Sequence, residues 1–144
     1  MRLDEATCRR LLGGARSLRM ATVGADGAPH IVPIVFALSG DTVVSMVDAK
    51  PKSTPALRRL ETIAHEPRVA LLADHYDDDW SLLWWVRADA VAIVTDDPAA
   101  MAAARDLLTA RYPQYRDDSP PGPLISLTIT RLTGWSSSDV TRNT

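Results

Sequence analysis

"RMATVGADGAPHIVPIVFAL", residues 19–38, sets two β-competent runs around a turn, and the turn decides how they are arranged. Asp26-Gly27 lies in the middle of "GADGAP", and such a pair supplies the positive φ that a tight hairpin requires, so 19–23 and 30–38 should lie antiparallel. Ser39-Gly40-Asp41 makes a second turn into "DTVVSMV", residues 41–47, and the three runs predict a meander. Pro33 has no N–H to give to a ladder, which places strand 30–38 at an edge or bulges it there.

On either side of the meander the spacing changes to a helical period. Residues 4–16 put Cys8, Leu11, Leu12 and Ala15 on one stripe behind Asp4, a suitable N-cap. Thr54-Pro55 opens a second helix through about Glu66, with Leu57, Leu60 and Ala64 inward and Pro67 as its stop. "RVALLADH", 68–75, reads as a buried strand, and "LWWVRADAVAIVT", 83–95, as a longer one beyond the acidic turn "YDDDW". Asp97-Pro98 starts a third helix to about Tyr112 that buries Met101, Ala104 and Leu108. After "PQYRDDSPPGP", the alternation in "LISLTITRLTGW", 124–135, predicts a last strand with Ile125, Leu127 and Ile129 inward.

The order is therefore α-βββ-α-ββ-α-β. Tight turns between strands exclude a parallel sheet, and a chain of this size removes its exposed edges by curling into a small barrel. The expected fold class is mainly β (α+β): a six-stranded antiparallel barrel with flanking helices, as a single domain over 1–144. With 144 residues the chain can bury roughly 70% of its unfolded surface, so one real core is affordable. Sixteen basic and eighteen acidic residues are dispersed along it, for a net charge of −2. That balance offers no general attraction to nucleic acid or an anionic membrane, so any anion site must be local. The single cysteine, Cys8, excludes internal disulfides and thiolate metal clusters, and a cytoplasmic location is expected. No run approaches the ~18 apolar residues of a membrane span, and the beginning, "MRLDEATCRR", lacks a signal-peptide core.

Three places could carry chemistry. In "DAKPKSTPALRR", residues 48–59, Lys50 and Lys52 stand just ahead of a helix start, where free N–H groups and the helix dipole favour an anion. Ser53 and Thr54 add hydroxyls. The turn is either a phosphate grip or a solvated basic turn. Near His75 the carboxylates Asp74, Asp77, Asp78 and Asp79 are suitable metal ligands by type, but His30 and His65 belong to unrelated elements, so no second imidazole is recruited and no metal site is assigned. Trp84 and Trp85 are neighbours on a strand and must face opposite ways, one to the core and one to a subunit, a ligand or a covering segment. No nucleophile, base or glycine-loop motif occurs, so no catalytic side chain is named.

Together "MATVGADGAPHIVPIVFAL", "VDAKPKS", "LRRLETIAHEPRVALLADHY" and "DDDWSLLWWVRADAVA" resemble the pyridoxamine-5'-phosphate-oxidase-like split β-barrel family, of the FMN-binding split-barrel type. More narrowly they resemble its actinobacterial branch of oxidoreductases that use the deazaflavin coenzyme F-420. The resemblance runs from about residue 17 to 135. It implies a homodimer with two cofactor sites in clefts between subunits, coenzyme F-420 as cofactor with FMN as the alternative, and hydride transfer to an unsaturated or quinone-like small molecule. A non-catalytic flavin or tetrapyrrole binder is a further alternative. It also implies that the ring lies along 31–36 and 44–48, with backbone contacts from Val32, Pro33, Ile34, Met46, Val47 and Asp48. By the same resemblance the phosphate falls to Lys50, Lys52 and Ser53, Trp85 (or Trp84 or Trp80) closes the partner's ring pocket, and Arg87 contacts the cofactor.

Overall fold

The computed structural model describes residues 1–47 and 54–138. Its elements are α1 (Glu5–Gly14), β1 (Leu18–Val23), β2 (Pro29–Ile34), β3 (Ala37–Ser39), β4 (Thr42–Met46), α2 (Thr54–His65), β5 (Arg68–His75), β6 (Trp84–Thr95), α3 (Pro98–Arg111) and β7 (Leu124–Ser136). The strands form one antiparallel sheet in the order β2-β1-β5-β6-β7-β4-β3.

Among the described residues there are seven strands rather than the expected six, because the run 30–38 changes partners part-way. Its first half, β2, pairs with β1 around a turn in which Gly27 has φ +80. Its last residues, β3, pair with β4 around Gly40, φ +59. β2 and β3 are the two ends of the sheet, yet only Val35 and Phe36 separate them. Three Cα–Cα steps span at most ~11 Å, so the two ends must meet and the sheet must curl on itself. Pro33 does lie on an edge strand, opposite Arg19.

The curl creates two apolar layers. Inside it, Leu18, Met20, Phe36, Val43, Leu71, Val86, Ile125 and Leu127 pack with Cys8 and Leu12 of α1 and Ile63 of α2. Phe36 is fully buried, so the connecting residue is itself part of the core. Outside it, α3 packs Ala104 and Leu108 on Ala37, Val44, Met46 and Leu124, which is why both faces of β4 are buried. Gly134 lets α1 approach β7: a Cβ there would stand 2.7 Å from Cys8 Sγ.

Three expected faces are shifted. On α2 the inward residue is Ile63, not Ala64, which is exposed, and Leu57 is 42% exposed; Leu60 packs on the core as expected, and the stripe continues through Ile63. Met101 is half-buried, at the edge of the outer layer. β5 is covered on one face only, with Val69, Leu71 and Ala73 inward, so its apolar run belongs to an open antiparallel sheet rather than a doubly covered strand. Among the described residues no helix is long and apolar enough to cross a membrane.

Candidate cofactor site

The link Val35–Phe36 marks a split in the barrel. On one side of it β3 and β4 form a ladder that ends at Ala37↔Val44. On the other side, among the described residues, no ladder pair joins 29–34 to 45–47, because β2 has turned away to β1 and β4 continues on β7. Alternate N–H and C=O groups of an edge strand point away from its one neighbour. With Gly24 N–H bonded to Ala28 O, the alternation turns the backbone groups of Val32 and Ile34 to β1 and leaves the far edge of β2 with the carbonyls of Pro29, Ile31 and Pro33 and the one N–H of Ile31.

Val32, Pro33 and Ile34 therefore lie along one lip, with Ile34 buried, Val32 half-buried and Pro33 exposed. Met46 and Val47 form the other lip, both buried. Val47 is already engaged: its N–H donates to Pro123 O at 3.1 Å and its carbonyl accepts from Gly122 N–H at 3.0 Å. At Val47 the lip can thus give a ligand the carbonyl's second lone pair, not the N–H. Asp48, Lys50, Lys52 and Ser53 lie outside the described residues.

A clamp that sequence spacing did not reveal holds the split from behind. Tyr112 Oη accepts the Phe36 N–H at 3.1 Å and stands 2.9 Å from Arg16 O and 3.0 Å from Phe36 O, one of which takes its proton. Arg111 donates to Phe36 O at 2.7 Å and to Ala15 O at 2.6 Å, with its guanidinium 4.6 Å from the centre of the Phe36 ring. Ser45 Oγ donates across the split to Val35 O at 2.8 Å. A basic residue in the last turn of a helix, as Arg111 is, reads from sequence as an ordinary dipole partner.

Trp85 and Arg87 are not brought to the lips within one chain. They stand on β6, and the row Pro33–Arg19–Leu72–Arg87 crosses three strand spacings, or about 14 Å. As expected, Trp84 and Trp85 face opposite ways: Trp84 packs against the inner core, while Trp85 is exposed beside its cross-strand partner Trp135. Arg87 Nε lies 3.6 Å from Asp89 Oδ1 on the same outer face. In the middle of that face Ala21 and Ala70 floor a groove of about 440 Å³ with Val23, Pro29, Val91 and Thr130 around it.

The acidic turn serves the backbone. Asp77 accepts from Asp79 N–H, and Asp79 accepts from both the N–H and the hydroxyl of Ser81 to start the 3-10 helix Trp80–Leu82. Those bonds from Ser81 hold the Asp79 carboxyl below the ordinary Asp range. His75 Nε2 is 3.6 Å from Asp77 Oδ2. Among the described residues no three His, Cys, Asp or Glu side chains converge on a metal-sized site.

The profile of the family described as pyridoxamine 5'-phosphate oxidase matches residues 4–136. The chain belongs to that family. Among solved structures it is similar to a FAD-binding protein from Mesorhizobium loti, at 21% identity over 93% of each chain with a TM-score of 0.74. A FAD-binding protein from Mycobacterium smegmatis is 21% identical over 94% of this chain and 96% of its own, TM-score 0.63. The haem storage protein HutZ from Vibrio cholerae is 15% identical over 89% and 92%, TM-score 0.68. At such identities the likeness is one of fold. No curated protein matches the sequence. The split barrel expected from the sequence is thus the fold of this pyridoxamine 5'-phosphate oxidase family member, with one strand more than expected.

Proposed function

We propose that this chain is an oxidoreductase that uses the deazaflavin coenzyme F-420 to pass hydride to an unsaturated or quinone-like small molecule, as a cytoplasmic homodimer. The observation that carries the reading is the split: an edge strand with outward backbone groups, a second lip rigidly tied to the 122–123 loop, and a basic turn directly after it in sequence. These residues fit a flat ring with polar edges and a phosphate. The outward carbonyl of Pro33, with Val32 and Ile34 flanking it, and Met46, the carbonyl of Val47 and Asp48 on the other side would hold the ring; Lys50, Lys52 and Ser53 would hold the phosphate.

The ring system, when bound, supplies the hydride chemistry. This chain's residues need only orient the donor and acceptor faces and keep water out, which is the protein's usual share in cofactor catalysis. Fixed backbone dipoles along the lips do that without reorganising, since Phe36 and Val47 are each anchored from behind. Trp85 and Arg87, which one chain leaves about three strand spacings, or ~14 Å, from its own lip, would close the site of a second copy. The exposed outer face around Ala21 and Ala70 is the surface for that copy.

A flavin is the second reading, favoured by the two FAD-binding proteins that share this fold. Fluorescence titration of the purified apoprotein with coenzyme F-420, FMN and FAD separates them. The deazaflavin should bind most tightly; tighter FMN or FAD binding would replace the cofactor, and binding of none would remove the reading. Lys52→Ala should weaken cofactor affinity by roughly 10- to 100-fold, the worth of one charge-assisted hydrogen bond, with little change in Tm. Equal affinity would detach the phosphate from this turn.

A further inference from the structure

The hydrogen bonds around Phe36 join four pieces of chain, three of them far apart in sequence. The end of α3, through Arg111 and Tyr112, grips the α1–β1 link at Ala15 and Arg16 and the β2–β3 link at Phe36. Ser45 of β4 takes hold of the next carbonyl, Val35 O. Phe36 lies two residues after Ile34, at the point where β2 and β4 part. The direction in which β2 leaves, and so the width of the split, is set at this link. The Phe36 ring is buried in the inner core while Ala37 belongs to the outer layer, so the link also passes from one packing layer to the other. Its N–H has no strand partner and takes the Tyr112 hydroxyl instead.

We propose that Tyr112 and Arg111 are positioning residues for the cofactor lip 32–34: they act through the Phe36 backbone and do not touch the ring. This rests on the cofactor reading above. Without the hydroxyl, the Phe36 N–H loses its acceptor, and the link can rotate at a place where, among the described residues, no ladder pair resists it. Arg111 still pins the carbonyl, so the barrel stays closed while the lip loosens. A residue serving stability alone would lower Tm without a separate loss of affinity.

The test is Tyr112→Phe, which keeps the ring and its contact with Arg111, compared with Asp4→Ala, which removes an N-cap on α1 well away from the split in sequence and contacts. Amide exchange of the apoprotein and titration with coenzyme F-420 and FMN are measured on both, with Tm. We expect exchange at Phe36 to quicken at least about tenfold and the cofactor Kd to rise about tenfold in Tyr112→Phe, while Asp4→Ala loses Tm but keeps its Kd. Wild-type affinity in Tyr112→Phe overturns the positioning role and leaves the cofactor reading standing, as does a loss no larger than that of Asp4→Ala. A wild-type protein that binds neither cofactor overturns both.

Discussion

Gly122 shows how much one residue can decide at the split. Its φ is +89, a region that side chains rarely adopt, and a Cβ there would stand 2.8 Å from Met101 Sδ and 3.2 Å from Met46 Cε. Its N–H meets Val47 O, so the same residue that crosses under α3 also anchors the second lip. Gly122→Ala thus combines backbone strain with crowding in the outer layer, and should cost about 2–3 kcal/mol, lowering Tm by roughly 4–10 °C. Gly27 provides the contrast: φ is +80, but nothing lies within 4 Å of its missing Cβ. Gly27→Ala should cost only the strain, about 1 kcal/mol. Thermal unfolding of the two variants checks the ordering, and equal losses would mean that the methionines move aside freely.

At the scale of elements, the helix starts behave as their caps dictate. Asp4 accepts the Thr7 N–H at 2.8 Å, and bonds from Thr7 hold its carboxyl below the ordinary value of 3.8. A carboxyl depressed on folding adds stability above its unfolded pKa and loses it as pH falls through the folded value. Asp4→Asn keeps an acceptor that does not titrate. The wild type should therefore lose Tm relative to Asp4→Asn as pH drops below 3.8, with the gap constant above about pH 5. Parallel melting curves from pH 6 to pH 3 test this, and a gap that ignores pH would remove Asp4 as the cap. Such caps were legible in the sequence: Asp4 and Asp97-Pro98 begin α1 and α3 as expected. The break at Val35–Phe36 was not. Apart from Pro33, which marks an edge or a bulge but not a break, every residue of "IVPIVFAL" suits a strand, and nothing at Val35–Phe36 itself tells a chain that stays on one neighbour from one that swaps neighbours. The clamp was equally hidden, since Tyr112 and Phe36 are 76 residues apart and each looks ordinary in its own element. Conversely the basic turn 48–53, the plainest site signal in the sequence, lies outside the described residues.

At the scale of the molecule, the outer face of β2-β1-β5-β6-β7 is what the fold leaves unfinished. Ile31 and Ile93 are 66% and 62% exposed there, and Trp85 and Trp135 form an exposed cross-strand pair. The inner face spends its apolar residues on the core; these belong to neither layer, and a soluble monomer gains nothing by leaving them wet. Charges of both signs, Arg19 with Asp74 and Arg87 with Asp89, cross the same face. A surface that is apolar in patches and carries both signs can meet a copy of itself across a two-fold axis. The proposed homodimer uses this face, and Ala70 in the groove floor is where a large side chain would hold the copies apart. Sedimentation at micromolar concentration should give a dimer for the wild type and a monomer for Ala70→Arg. If Trp85 and Arg87 complete the partner's site, the monomer should also lose cofactor affinity by about tenfold or more, although Ala70 lies away from either lip. A dimer that persists in Ala70→Arg places the interface elsewhere, and a monomer that keeps full affinity confines the site to the split of a single chain.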